Sequence, residues 1–297
     1  MSKNTAYQAS ELIINPDSSI FHLHIKPGTL ADTIILVGDP QRVDMVSSFF
    51  DSIESKTHNR EFYTITGQFK GMPVTVLSTG IGTDNIDIVM NELDAVVNID
   101  FESRTDNTEF KKLRLIRIGT SGAIQEDIDP GSVILSKYAI GFDGLLNFYK
   151  ERDNVCDSGL EKLFVTQANW SDRLSAPYCI EVSSELEAIM PAEYYRGITA
   201  SANGFYAPQG RAIRGDLAFP GLIDQMASIS YDGYRLSNFE MECSALYGLS
   251  RILGHEALTV CGIIANRVSK NFIGDYKTMM HTIIDTVLNR LRDNYHA

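Results

Sequence analysis

The chain has 297 residues, 44% hydrophobic and 22% charged, which is ordinary for a globular protein and enough for a substantial core. Its formal net charge of -12 argues against a general nucleic-acid binder, which needs a basic face, yet allows a small anion held by local arginines. No signal pattern opens the chain and no apolar run approaches membrane-spanning length, so a soluble, cytoplasmic protein with no membrane partner is expected.

The first apolar run, "DTIILV" (32–37), predicts a buried strand, followed by the turn "GDP" and a helix over about 40–50. "EFYTITGQF" and "MPVTVLST" (61–79) alternate with period two about the turn "KGM" and read as a hairpin. "GIGTDNIDIVMNELDAVV" opens as a glycine loop and continues as an amphipathic helix. The polar segment 98–112 reads as a surface insertion. "LRLIRIG" (113–119) is a strand entering a glycine turn, and "GSVILSKYAI" is a strand after it. "GITASANGFYAPQGR" (197–211) runs from strand into a loop bearing aromatics.

In "NFEMECSALYGLSRILG" (238–254) Glu240 and Glu242 flank Met241 where a helix is predicted to begin. Met241, Ala245, Leu249 and Ile252 recur at helical spacing, with Gly254 placed as a stop. The apolar strand "EALTVCGIIA" (256–265) and a helix near 275–293 finish the chain. No repeat or linker divides it. The expected fold class is therefore α/β: one domain over 1–297 around a mixed central β-sheet flanked by helices, with 1–20 as an extension.

Candidate chemistry gathers at glycine turns that follow strands. In "LVGDPQRV" Asp39 can cap a helix, Pro40 suits its first position, and Arg42 falls in the first turn, where free N–H groups favour an anion. In "IRIGTSGA" Arg117 leads into Gly119, Thr120, Ser121 and Gly122, small residues with hydroxyls and open amides. "STGIGTDN" is a third such turn. One glycine turn is usually plain chain reversal; two that each carry an arginine suit a free phosphate. Neither a dinucleotide fingerprint nor a P-loop is present. The four cysteines (Cys156, Cys179, Cys243, Cys261) show no metal-ligand spacing.

Taken together, "GDPQRV", "HNREF", "STGIG", "RIGTSGAIQ", "FYAPQGR", "NFEMECSALY" and "GIIANR" occur in an order that resembles the nucleoside phosphorylase family, and within it the bacterial-type uridine phosphorylases. The resemblance runs from "FHLHI" to the C-terminal helix. It implies phosphorolysis of a nucleoside to free base and ribose 1-phosphate, and no cofactor beyond phosphate as co-substrate. It further implies phosphate on Gly38, Arg42, Arg117 and Thr120, with Arg60 supplied by a neighbouring subunit. Ribose falls to Met241, Glu242 and Thr120, with His22 from that same neighbour. The pyrimidine falls to Gln209, Arg211, Gly122 and a stacking Phe205. Arg211, Gln209, Glu242 and Arg117 are the expected catalytic group, with Glu240 and Arg267 in support. A homo-oligomer with shared sites follows, at least a dimer and at most, as far as the resemblance goes, a hexamer. A monovalent cation is implied between subunits near Glu61 and the Ile81 carbonyl, although Asn85 stands where the family pattern has serine. Purine-acting members carry an aspartate in the turn after the last core strand, where this chain has Asn266. A purine nucleoside phosphorylase, a nucleosidase using water, and a non-catalytic nucleoside-binding protein are the rival readings.

Overall fold

The first apolar run forms the strand Thr33–Val37, buried at every position. A strand covered on both faces belongs in the middle of a sheet with helices on each side. The computed structural model, which describes residues 5–295, shows that arrangement. The first four residues of the expected extension lie outside the described residues. Thr33–Val37 pairs in parallel with Met72–Ser78 on one side and Arg114–Ala123 on the other. Beyond Met72–Ser78 the sheet continues antiparallel through Phe62–Phe69 to the edge strand Ser52–Asn59.

In the other direction Arg114–Ala123 pairs in parallel with Glu256–Asn266, which runs antiparallel to Val133–Gly141. Tyr195–Ser201 and Tyr234–Glu240 follow in parallel. The last of these returns to Arg114–Ala123, with Asn238 opposite Ala123 and Phe239 opposite Gly122, antiparallel. That half of the mixed sheet thus closes on itself. It brings the end of Tyr234–Glu240 beside the ends of the parallel strands that carry Gly38, Gly80 and Thr120. Ligands of open α/β sheets gather at such strand ends.

The helix after the first strand is Pro40–Ser47, with Pro40 in its first turn and the Asp39 carboxylate accepting from the Gln41 amide at 2.9 Å. Thr83–Asn98, Cys243–Leu253 and Lys277–Asp293 provide longer helices around the sheet. Gly254 ends Cys243–Leu253 with φ 84°, a conformation that favours glycine. Among the described residues no helix is long and apolar enough to cross a membrane.

Three features depart from the sequence reading. The helix expected over 238–254 begins only at Cys243; Asn238–Glu240 completes a strand, and Met241 and Glu242 form the turn between. Pairing of Glu240 with Ser201 across the sheet overrides the helical spacing there. The edge strand Ser52–Asn59 has no apolar alternation to announce it, because its side chains are largely exposed. Residues 98–112 do more than decorate the surface. Ile99–Asp100 and Thr105–Asp106 pair as a short hairpin, and Arg104 Nε donates to the Tyr7 carbonyl at 2.9 Å while the Tyr7 hydroxyl meets Asp106 at 2.8 Å. The hairpin therefore fastens the N-terminal extension, which buries Leu12 and Ile20 against the main core.

Candidate active site

A cavity of about 760 Å³ opens where these strand ends converge. Gly38, Arg42, Arg117 and Thr120 line part of its wall. A side chain at Gly38 would meet the Gly80 carbonyl at 3.5 Å and Arg117 Nη2 at 3.7 Å, so glycine there keeps the space before the guanidinium open. Arg117 is only 5% exposed. Its Nη2 donates to Glu242 Oε2, its Nη1 lies 3.4 Å from Thr79 Oγ1, and its buried Nε has no hydrogen-bond partner. Burial and the charge of Arg117 push the Arg42 guanidinium below its ordinary range. Two neighbouring guanidiniums, partly stripped of water, one with a buried Nε that no acceptor fills, can seat an anion.

Glu242 and Met241 also line the wall. Glu242 Oε1 accepts from the Gly82 amide at 2.8 Å, so the glycine turn after Met72–Ser78 orients this carboxylate from a distance of 160 residues along the chain. Glu240 turns its Oε2 back to accept from the amides of Glu242 at 2.8 Å and Cys243 at 2.9 Å, and its Oε1 accepts from Ser201 Oγ. It also stands 3.8 Å from Arg117 Nε. A carboxylate at the end of the preceding strand thus satisfies the first amides of the helix. Burial and the Glu242 charge push the Glu240 carboxyl up to about 7.

Phe205, Gln209, Arg211 and Gly122 also line the cavity. Arg211 Nη1 donates to Gln209 Oε1 at 2.6 Å and to the Phe205 carbonyl at 2.7 Å, and its Cζ lies 3.9 Å from the Phe205 ring centroid. Burial, followed by the charge of Arg267, lowers the Arg211 guanidinium to about 10, which leaves it cationic at neutral pH. Arg267 itself stays off the wall, with Nη2 3.4 Å from the Gly210 carbonyl. The backbone turn that carries Gln209 and Arg211 is held in this way from behind. Asn266 is 2% exposed and fully engaged: Nδ2 donates to the carbonyls of Gln125 at 2.7 Å and Ile128 at 2.9 Å, while Oδ1 accepts from the amides of Val268 and Ser269.

His22 and Arg60 do not line this cavity. Instead they share a surface: Asn59 Nδ2 donates to the His22 carbonyl at 2.7 Å, His22 Nδ1 meets Glu92 Oε1 at 2.6 Å, and Arg60 is exposed at the adjoining turn. Glu61, Ile81 and Asn85 border the cavity, but Asn85 Nδ2 donates to the Ile81 carbonyl at 3.3 Å. An N–H group on that carbonyl does not fit a cation held by oxygens. Sequence reasoning missed the wall formed by Phe239, Ile264, Ala265 and Phe272. Phe272, 67% exposed, reaches it through a bridge to Ala265, a pairing with no local signal.

A sequence model of the phosphorylase superfamily matches residues 32–289. The chain belongs to that superfamily. It is similar to the uridine phosphorylase of Thermococcus kodakarensis, 35% identical over 257 residues that cover 85% of this chain and 79% of that one. It is similar also to the Escherichia coli uridine phosphorylase, 30% identical with 89% and 92% covered. A solved Trypanosoma brucei nucleoside phosphorylase, described as showing uridine phosphorylase activity, superposes with a TM-score of 0.84 at 30% identity, covering 95% of this chain and 99% of that one. The α/β domain with its mixed sheet found here is thus the fold of that solved phosphorylase.

Proposed function

We propose that this member of the phosphorylase superfamily cleaves uridine with inorganic phosphate, giving uracil and ribose 1-phosphate. The observation that carries the reading is one cavity lined by the Arg42–Arg117 cation pair, the Glu242 carboxylate and the Gln209–Arg211 pair. Those three groups match the three parts of the reaction. Phosphate sits on the guanidiniums beneath the sugar. The Glu242 carboxylate accepts hydrogen bonds from the ribose hydroxyls, with Met241 as an adaptable apolar pad. As the bond from C1' to N1 breaks, its electron pair passes into the pyrimidine and the sugar gains positive character. Arg211 and Gln209 meet the charge developing on the base oxygens with donors already in place. A phosphate oxygen then bonds to C1' from the opposite face, and the uracil anion takes a proton from solvent. No group on the chain need protonate the base first, and the reading calls for no cofactor. All four cysteines are free thiols, which suits the cytoplasm.

Uridine incubated with and without phosphate tests this directly. Uracil is expected only with phosphate, in equal amount to ribose 1-phosphate. Equal release in phosphate-free buffer would identify a hydrolase, and no release in either would leave a binding protein.

The proposal includes an oligomer, at least a dimer, whose partner supplies Arg60 and His22. Their absence from the chain's own cavity and their nearness to each other, with Arg60 exposed and His22 half-buried, support it. Arg60→Ala and Glu242→Ala subunits should each be nearly inactive alone. Co-refolded, they form mixed dimers in which one site has both residues intact and the other has neither. With random pairing, about a quarter of the parent activity should return. Mixing that restores nothing would place Arg60 in its own subunit's site and refute the shared arrangement.

A further inference from the structure

We propose that the Asn85 carboxamide takes the place of a monovalent cation at the rim of the cavity, so that this chain works without one. Gly80, with φ 71°, brings the relevant groups together. A Cβ added there would lie 2.4 Å from Asn85 Nδ2 and 3.0 Å from Glu61 Cγ, so the amide and the Glu61 side chain occupy the same side of one turn. Asn85 Nδ2 donates to the Ile81 carbonyl four residues earlier. A hard cation is held by oxygens whose lone pairs point at it. Here the lone pair it would need on Ile81 already receives an N–H. A serine hydroxyl can turn its hydrogen away and offer oxygen. An asparagine that turned its amide over would set Oδ1 against the Ile81 oxygen, two acceptors in repulsion unless an ion lay between them.

The substitution bears on catalysis through the next residue. The Gly82 amide, one step beyond Ile81, donates to Glu242 Oε1 at 2.8 Å. Whatever fixes the Gly80–Gly82 turn therefore helps to aim the carboxylate assigned to ribose. In this chain the fixing group is covalently attached, at the first turn of the helix Thr83–Asn98, and cannot be removed by dialysis.

Thermal unfolding and uridine kinetics, measured in potassium, sodium or bulky tetramethylammonium salts at equal ionic strength, provide the test. The parent chain should melt at the same temperature and show the same KM for uridine in all three. Asn85→Ser, which restores an oxygen and removes the N–H, should melt higher and bind uridine several-fold better with potassium or sodium than with tetramethylammonium. Should the serine variant not fold, Asn85→Asp makes the same comparison, since an acidic residue is well tolerated in a first helical turn. A parent chain stabilised by a small cation overturns the proposal, as does an oxygen-bearing variant that remains indifferent to the ions. The kinetic arm rests on the proposed reaction, but the melting arm does not. A chain that released no uracil would fail the functional reading while its melting point still decided the cation.

Discussion

Arg117→Ala is expected to lower kcat/KM for uridine phosphorolysis by about 10³-fold, the scale on which a preorganised donor at a reacting centre acts. Arg117 touches each part of the ionic network: Glu242 through Nη2, Glu240 at 3.8 Å, and the space before Gly38 where phosphate is placed. Saturation with phosphate should weaken far more than binding of the base. Removing one partner of a buried ion pair costs about 3–5 kcal/mol when the other charge stays stranded. Here two carboxylates would be stranded, and one relieves the repulsion by taking a proton. The Glu240 carboxyl is already raised to about 7 with Arg117 present, because burial and Glu242 outweigh the arginine.

A carboxyl raised in the folded state binds protons that the unfolded chain does not, so its contribution to stability falls as pH rises through that value. Without Arg117 the rise is larger and the loss extends to higher pH. The melting temperature of Arg117→Ala should therefore fall behind that of the parent most steeply above neutrality. Phosphate kinetics of the variant close to those of the parent would remove Arg117 from the anion site and take the proposed mechanism with it.

Uridine should be cleaved about 10⁴-fold more efficiently than inosine, because a site built to hydrogen-bond a substrate's polar edge leaves buried groups unpaired when the edge is wrong. Gln209 is 3% exposed, and its Oε1 is fixed by Arg211 at 2.6 Å. The amide thus cannot turn freely to suit a purine. At the place where purine-acting relatives are expected to carry an acid, Asn266 has its side chain committed to the carbonyls of Gln125 and Ile128 and to two amides of its own loop. It has neither a proton to give nor a path into the cavity. Steady-state rates with both nucleosides at matched phosphate decide it, and turnover of inosine within tenfold of uridine would overturn the pyrimidine assignment.

Short-range chemistry was readable directly from the chain. The unbroken apolar run Thr33–Val37 had to be a central strand, and Asp39 with Pro40 had to start a helix, because caps and fixed φ angles act over two or three residues. The same locality placed the arginines Arg42 and Arg117 beside glycine turns. Motif order then carried the family, and with it, His22, Arg60 and Arg267 aside, site residues that the structure gathers into one cavity. Position within the site was another matter. Glu242 meets Arg117 across 125 residues only because Tyr234–Glu240 returns to Arg114–Ala123 and closes half the sheet. Strand register of that kind is set by the packing of the whole core, and no window of sequence contains it. The same limit hid the polar edge strand Ser52–Asn59 and the bridge that swings Phe272 to the cavity wall. It also hid that Glu240 serves the next helix from the end of a strand, since helical spacing and sheet pairing competed there and tertiary pairing won.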